Sequence, residues 1–570
     1  MIRILHTYIS RELAKVSVLA LVAFTLVMTV FAIIEPLREQ GLTGQEVAAL
    51  FAYTLPVMLS LTLPIGALFA ATIVYGRFSQ DNELLACRAS GISTLSLLKP
   101  GIVLAMIVTS ASLALSNLVA PVMAERAGRA IKANVRNIAY SQLKSRKYIE
   151  YKSGENERFV IHADDVDPAK NVLYGVVGIH ITSSERRMGA AASTKVAFFE
   201  SEGENYVAFG ALHLSGGAID KNNYDYLWES RQVFPAIKIP NPVKEKASWY
   251  EWGRLRRTIE HPELDARISQ ELSKVRREIA HYLFCNEVAD SISDKPARGF
   301  HFLSDRRPYM LLADKAHVTG KETVSLSSAR GSPVVVTSMA SEPEAAAYRA
   351  CACLLVRFGL VASSRAVNML ARHAMPGIRF ADAGRIEADY DRAYEKSVAT
   401  IRLDRPVFEV MFAQGRVGRI GGWSTQFEVP ERFINTVGRV TLDNAQEKAL
   451  QLGSHPAILN RIKKLNDSDI PSLKGKLIGE MHGRLAYGVN CFLLVAIGGA
   501  LGLIFRGGHV LSAFTTSAVP AAAAIVLSIM GKELARNSQI PLIAGLAVIW
   551  AGVAALAVAC LFVYLYLYRK

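Results

Sequence analysis

The chain has no Gly-x-x-x-x-Gly-Lys-Ser/Thr phosphate loop: Gly475-Lys476-Leu477 and Gly531-Lys532-Glu533 lack both the spacing and the following hydroxyl. It therefore carries no nucleotide motor of its own. His-Glu-x-x-His, Gly-x-Ser-x-Gly and carboxylate pairs inside apolar runs are missing as well, which speaks against an intrinsic enzyme and leaves no catalytic residue to name. His281, Cys285 and Glu287 are neighbours on a helical stretch, but without a second imidazole at ligand spacing they make no zinc site, and no metal or other cofactor is expected. The six cysteines form no disulfide framework. Cys87 sits in a short loop, Cys491 and Cys560 lie in apolar runs, and Cys351 and Cys353 are too close for an ordinary bridge, so only Cys285 is left to pair with one of those two. The net charge of +15 comes without a basic stripe interleaved with aromatics, so nucleic acid is not an expected partner.

What the chain does have is long apolar runs in two clusters. A bilayer core about 30 Å thick needs roughly 20 apolar helical residues. Val16–Ile34, Val47–Gly76 and Gly101–Ala120 meet that length near the N-terminus, and Leu485–Phe505, Val510–Met530 and Ile540–Tyr568 meet it near the C-terminus. A single such run could be a buried core helix; six in two clusters read as membrane spans. Val47–Gly76 is over-long and contains Pro56 and Pro64, so it should kink or tilt, and the last span should begin near Pro541. Val16–Ile34 is followed by Glu35-Pro36-Leu37 and not by a small-x-small cleavage site, so it reads as a retained span and not a signal peptide.

Lys and Arg accumulate in short cytoplasmic loops. Arg3, Arg11, Lys15, Arg77, Arg88, Lys99, Arg506, Arg569 and Lys570 fall on one side, against Arg38, Lys532 and Arg536 on the other, where Glu35, Glu39, Glu46 and Glu533 accompany them. Both termini are thus expected in the cytoplasm and the central region in the periplasm of a two-membrane cell.

Within the central region the period changes. Arg158–His162, Val172–Ile181, Lys195–Glu200 and Tyr206–Leu214 are β-branched and aromatic, broken by Gly, Asn and Asp, and predict a sheet. From Trp249 to Phe284 the pattern is helical, with Leu264, Ile268, Leu272, Val275, Ile279 and Leu283 on one stripe. Strand-like pieces return at Tyr309–Ser338 and around Ile401–Leu442, and Ala346–Ala374 reads as a buried or interfacial helix because Arg357 interrupts it. A β domain held at a membrane suits a lipid: an acyl chain leaving the bilayer must be shielded at about 0.8 kcal/mol per methylene, which an open apolar slot between sheets can do.

The loop Gly76–Ile92 predicts a helix of about ten residues, with Ser79 and Asp81 as N-cap candidates, acidic residues in the first turn and Gly91 at a left-handed C-cap. Leu85, Ala89 and Ile92 share one face and Glu83, Cys87 and Ser90 the other. Such a helix either docks into another protein or merely connects its own spans. Further along, Glu480 and Arg484 form an i,i+4 pair that makes His482 an interfacial anchor in preference to a catalytic group.

Leu63-Pro64-Ile65-Gly66, the Ser79–Ile92 pieces Ser-x-Asp-Asn-Glu-Leu and Arg-Ala-Ser-Gly-Ile, Pro100, Asn117 and Pro121 resemble the lipopolysaccharide-export permease family LptF/LptG. So do Glu480-Met481-His482-Gly483-Arg484-Leu485-Ala486, Gly502 and Arg506-Gly507. The resemblance implies an α-helical membrane protein with three plus three transmembrane helices and a large periplasmic β-jelly-roll-like domain. It also implies a cytoplasmic ABC-type ATPase dimer, a second LptF/LptG-type permease, and periplasmic bridge proteins of jelly-roll fold. The cargo would be lipopolysaccharide or another glycolipid, entering laterally between the first and fifth spans. By position, residues 81–90 would be the coupling helix, with Asp81, Asn82, Glu83, Leu84, Cys87, Arg88 and Gly91 contacting the ATPase, and Arg38 would meet lipid phosphate, although Glu35 and Glu39 flank it. The expected domains are 1–121, 122–479 and 480–570, with helical insertions at about 249–284 and 346–392 that lengthen the central region beyond the family's pattern. The alternative is a non-transporting inner-membrane scaffold or sensor with a periplasmic binding domain.

Overall fold

The computed structural model describes residues 2–569 apart from 41–43, 134–138, 240–245, 295–298, 328–332, 339–377, 506–509 and other stretches of up to four residues, mostly between strands. The chain opens with α1 (Ile2–Gln40), α2 (Gly44–Gln80), the short α3 (Glu83–Ala89) and α4 (Thr94–Ala114), which passes through a π turn at Leu115–Val119 into α5 (Ala120–Ala133). Among the described residues six helices are long and apolar enough to cross a membrane.

The third span does not begin at Pro100 as expected. Ser93 caps α4 by accepting from the Ser96 amide, and Pro100 sits in the helix interior. A proline there normally costs a ladder bond. The repair is a tyrosine: the buried Tyr75 hydroxyl accepts from the Gly101 amide at 2.9 Å and donates to the Leu97 carbonyl at 3.1 Å, standing in for the direct bond between them. Gly101 has to be glycine, because a Cβ there would lie 2.9 Å from that hydroxyl. Pro64 in α2 is treated alike: the Ser60 carbonyl it leaves without an amide faces the Tyr487 hydroxyl at 3.4 Å, which donates to Leu61 O at 2.9 Å.

The first β unit is a nine-stranded antiparallel sheet, β1 (Tyr148–Ser153) to β9 (Ile237–Ile239). Its core gathers Phe159, Val166, Leu173, Val176, Val196 and Val207 beneath Tyr140 and Leu143. After α6 (Trp252–Glu260) and α7 (Ala266–Asp294), the chain builds a second unit from β10 (Phe300–Ser304), β11 (Arg307–Leu312), β12 (Lys315–Val318), β13 (Thr323–Ser327), β14 (Val334–Ser338), β15 (Ile378–Ala381), β16 (Ala383–Asp391), β17 (Lys396–Leu403), β18 (Val407–Met411), β19 (Arg416–Ile420) and β20 (Trp423–Glu428). The chain changes sheet after every second strand. One sheet runs β10-β11-β14-β15-β18-β19 and the other β12-β13-β16-β17-β20, with all neighbours antiparallel. The space between them is filled, with Phe284, Val288 and Ile292 of α7 joining Leu311, Val336, Ile386, Ile401 and Phe427.

Several expectations are corrected in this region. Residues 378–391, expected as part of a helical insertion, are strands. Ala, Arg, Glu and Asp favour a helix locally, but Ile386 and Ala388 point inward while Arg385 and Glu387 do not, and that two-residue alternation prevails. Ala346–Ala374, with Cys351 and Cys353, lies outside the described residues. Cys285 is a free thiol in the core, pushed up to about 12 by burial and then by the Glu322 charge, so it is not half of a disulfide. Leu264 is exposed although Ile268, Leu272, Val275 and Ile279 are buried, because it belongs to a 3-10 turn that ends before α7 starts.

Behind the second unit come α8 (Glu431–Val437), α9 (Ala445–Gln451) and α10 (Pro456–Lys464), then a π turn at Leu465–Asp469, α11 (Ile470–Ile504), α12 (Val510–Arg536) and α13 (Leu542–Arg569). From Pro456 to Ile504 the helix is continuous over 49 residues, so the helix that carries the fourth span starts well before Leu485, and the boundaries expected at 121 and 479 fall inside helices. Its far end is part of the second unit's core through Ile458 and Ile462. Within the bundle α11 is the central helix, lying against α2, α4, α12 and α13. Glycines permit this: a Cβ at Gly502 would sit 2.8 Å from Thr72 O, and one at Gly498 2.6 Å from Leu68.

Candidate functional site

Three places on the bundle offer function. The first is α3, at the end of the bundle where Ile9, Leu13, Ile92, Leu97 and Leu567 meet. It is seven residues long, shorter than expected. Ser79 does not cap it; this hydroxyl is buried in the last turn of α2 and donates to Leu503 O at 3.2 Å, fastening the loop to the end of α11. Asp81 is exposed at the turn, 3.8 Å from Arg77. Asn82 lies outside the described residues, as do the side chains of Leu84, Leu85 and Arg88. Glu83 opens the helix and is exposed. Cys87 is half-buried, its thiol raised by burial and then by the Glu83 charge. Gly91 has φ +77°, and the Ile92 amide reaches back to Cys87 O at 3.0 Å, a left-handed cap that drops Ile92 into the core. Of the Leu85, Ala89 and Ile92 face, Ala89 is exposed and Ile92 buried. Beside this cap a cleft of about 400 Å³ opens between Gly91–Leu95 and Leu567–Tyr568.

The second place is the lateral face formed by α1 and α12. Both helices lean on α2 through an aromatic chain: Phe24 meets Phe69 edge-on at 5.7 Å, and Phe69 meets Phe514 at 5.3 Å. Outward they show Val22, Val30 and Phe31, and Val519, Val526 and Ile529. Arg38 falls in the last turns of α1, and its side chain lies outside the described residues.

The third place was missed by sequence reasoning beyond its i,i+4 pair. Arg484 is 5 % exposed, yet each of its nitrogens has a partner. Nε donates to Glu480 at 3.0 Å, one terminal nitrogen to the carbonyls of Ser248 and Tyr250, both at 3.0 Å, and the other to Asn117 Oδ1 at 3.5 Å. Lys532 of α12 donates to the second oxygen of Glu480 at 2.9 Å. His482 accepts from the Trp550 indole at 3.2 Å. Glu480, His482 and Arg484 thus bind α11 to the π turn between α4 and α5, to α12 and α13, and to the strand-to-helix connection at 248–250. The approach is close because the facing residues are glycines: a Cβ at Gly475 would be 1.9 Å from Ala535 O, and one at Gly483 2.1 Å from Lys532 Cε. The Gly475-x3-Gly479-x3-Gly483 spacing was the available signal.

No curated protein matches the chain. The model of the family described as lipopolysaccharide export system permease LptF/LptG matches residues 7–246 and 404–569. Those segments hold both membrane halves, the first β unit, α3 and the α11 cluster, while 247–403 falls outside the match. With more than half of its length matched, and six spans around a central β region, this chain belongs to the LptF/LptG family of lipopolysaccharide export permeases.

Proposed function

We propose that the chain is the permease subunit of an ABC-type exporter that takes lipopolysaccharide or a related glycolipid from the inner membrane and passes it to a periplasmic bridge. The work would come from a cytoplasmic ATPase dimer binding α3, and a second permease of the same family would complete the pathway. The Lys and Arg bias supports a reading with both termini and α3 in the cytoplasm and the β units in the periplasm. One observation carries the reading: α3 presents an exposed Glu83 and yet is tied into the bundle, by Ile92 in its core and by the hydroxyl of Ser79, just before it, on the end of α11. A push on α3 therefore reaches the central helix, and through it the lateral face and the β units. On that face α1 and α12 form the lipid gate.

The test is mild-detergent affinity purification of the tagged chain, with mass spectrometry of bound proteins and lipids. An ABC ATPase and a second six-span permease should co-purify, and Glu83→Arg should lose the ATPase while keeping the other permease. Recovery of periplasmic proteins alone, unaffected by Glu83→Arg, would refute the exporter and leave a scaffold.

A further inference from the structure

We propose that the second β unit moves as one rigid body with the fourth span, because α7 splints the π turn at Leu465–Asp469 where the helix that carries the span would otherwise bend. Arg267, Glu271, Glu278 and Arg461 are the positioning residues of this splint. It goes beyond the exporter reading and holds whichever cargo the bundle moves.

The weak point follows from Pro471. It has no amide to return to the ladder and its ring crowds the carbonyl four residues back, so the helix widens just before it into a π turn, closed from the Ile470 amide to Leu465 O. Long helices kink at such turns. Here α7 lies alongside, antiparallel, and reaches across. Arg267, Glu271 and Glu278 stand four and seven residues apart, on one helical face about 16 Å long. Arg267 donates to Asp469 at 3.0 Å, at the membrane-side end of the turn. Beyond the other end Arg461 is paired with Glu278, whose side chain is 9 % exposed, and lies 3.8 Å from Glu271. Glu271 also holds Lys274 and feels the charges of both Arg461 and Arg267, so the two clamps share one carboxylate. Arg267 is exposed, and its pair alone is weak. The hold comes from buried Glu278, which accepts from Lys321 as well, and from the core around Ile458 and Ile462. Nearer the membrane α6 repeats the grip: Leu255 and Ile259 pack on Leu473 and Leu477, and Arg484 holds the Ser248 and Tyr250 carbonyls. The unit is thus fastened on both sides of the π turn. Its clamping residues on α6 and α7 belong to 247–403, whereas the helix they grip lies within the family match. That helix is about 70 Å long from Pro456 to Ile504, so each degree of tilt carries its far end through about 1 Å.

The experiment is pulsed electron–electron distance measurement on the full chain, with hydrogen exchange at the π turn beside it. Spin labels go on exposed positions: Leu303 of β10 with Val489 of α11 for the unit against the span, and Leu303 with Leu450 of α9 within the unit. Both distributions should be narrow, and the first should keep its distance when the complex with the co-purified ATPase is trapped with ATP and vanadate. Arg267→Gln combined with Arg461→Gln removes both clamps and leaves Glu278 its Lys321. This double variant should broaden the Leu303–Val489 distribution and speed exchange of the Ile470 amide about tenfold, with Leu303–Leu450 still narrow. Arg267→Lys with Arg461→Lys, which keeps the cations, should stay close to the unmodified protein in both readings. A Leu303–Val489 distribution that is broad in the unmodified chain, or a distance that shifts on trapping, overturns the splint and leaves the exporter standing. So does a glutamine variant as narrow and as slow to exchange as the unmodified protein. If the double variant broadens Leu303–Leu450 as well, Arg267→Gln alone, at its exposed site, decides by the same two readings.

Discussion

Replacing Arg484 by methionine isolates what the buried guanidinium contributes. Methionine fills much of the same volume, so the change removes donors more than packing. Four partners are affected: Glu480 loses one of its two cations, and the Ser248 and Tyr250 carbonyls and Asn117 Oδ1 lose theirs. Each main-chain carbonyl left buried without a donor costs about 1–3 kcal/mol. Glu480 keeps Lys532, so the carboxylate is not stranded. The sum is about 3–5 kcal/mol, the usual cost of breaking a buried ionic network. Thermal unfolding in detergent should show the midpoint fall by about 3–4 °C. Arg484→Lys, whose single ammonium reaches the carboxylate or the carbonyls but not both, should fall about halfway. Limited proteolysis adds a local readout, with the connection around Ser248–Tyr250 becoming the first new cleavage site in Arg484→Met. A methionine variant that melts with the unmodified protein and resists cleavage at 248–250 would show that the network is decorative.

Tyr75→Phe removes the hydroxyl that stands in the α4 ladder, leaving Gly101 N and Leu97 O to find each other across the Pro100 turn. The expected loss is about 1–3 kcal/mol, read as earlier unfolding and faster hydrogen exchange at Gly101; unchanged exchange would mean that the ladder closes by itself. Burial alone would raise Glu322, but the His281 hydrogen bond and the Lys321 and Arg461 charges outweigh it and leave this carboxyl below the ordinary 4.5. A depressed carboxyl stabilises the fold above its unfolded pKa and loses that contribution as pH falls through the folded one. The second β unit should therefore hold its stability above about pH 4.5 and lose part of it below, a slope that Glu322→Gln should flatten. Cys87, raised by burial and by Glu83, should react with iodoacetamide at pH 8 more slowly than a free thiol, and faster in Glu83→Gln; equal rates would deny the charge effect.

The spans were legible because the bilayer sets one length and its hydrocarbon core, which cannot hydrate a charge, keeps ionised side chains out of it. Their ends were not, because Thr94 and Ile470 start helices that run on in protein and water, where nothing in composition marks the membrane surface. Gly91 announced its left-handed cap, whereas Ser79 looked like an N-cap and instead serves a carbonyl 424 residues away. Lys532 was read as a loop cation and as part of a failed phosphate loop, and not as the partner of Glu480, which is a full helix distant in sequence. In β15 and β16, helix-favouring residue types concealed a period of two that only the neighbouring strands enforce.

The segment outside the family match is not an appendage, and the pairing of strands shows why. β18 lies between β15 and β19, and among the described residues β20 pairs only with β17, so strands inside the family match complete sheets whose other members lie in 247–403. Val407, Phe427, Phe433, Val437, Ile458 and Ile462, all within the matched part, are buried in the same core as Phe284 and Val336 from the segment. A chain with 247–403 replaced by a short linker would expose those six side chains. At about 1.5–3 kcal/mol for each large apolar side chain, the penalty is on the order of 10 kcal/mol, comparable to the whole stability of a domain. It would also take away the Arg484 partners Ser248 and Tyr250, adding a defect at the membrane. The deletion should therefore accumulate poorly, expose 404–465 to protease, and unfold earlier than Arg484→Met. A deletion that purified with an intact, protease-resistant 404–465 would mean that these strands can find partners in the first β unit, and that the second is separable after all.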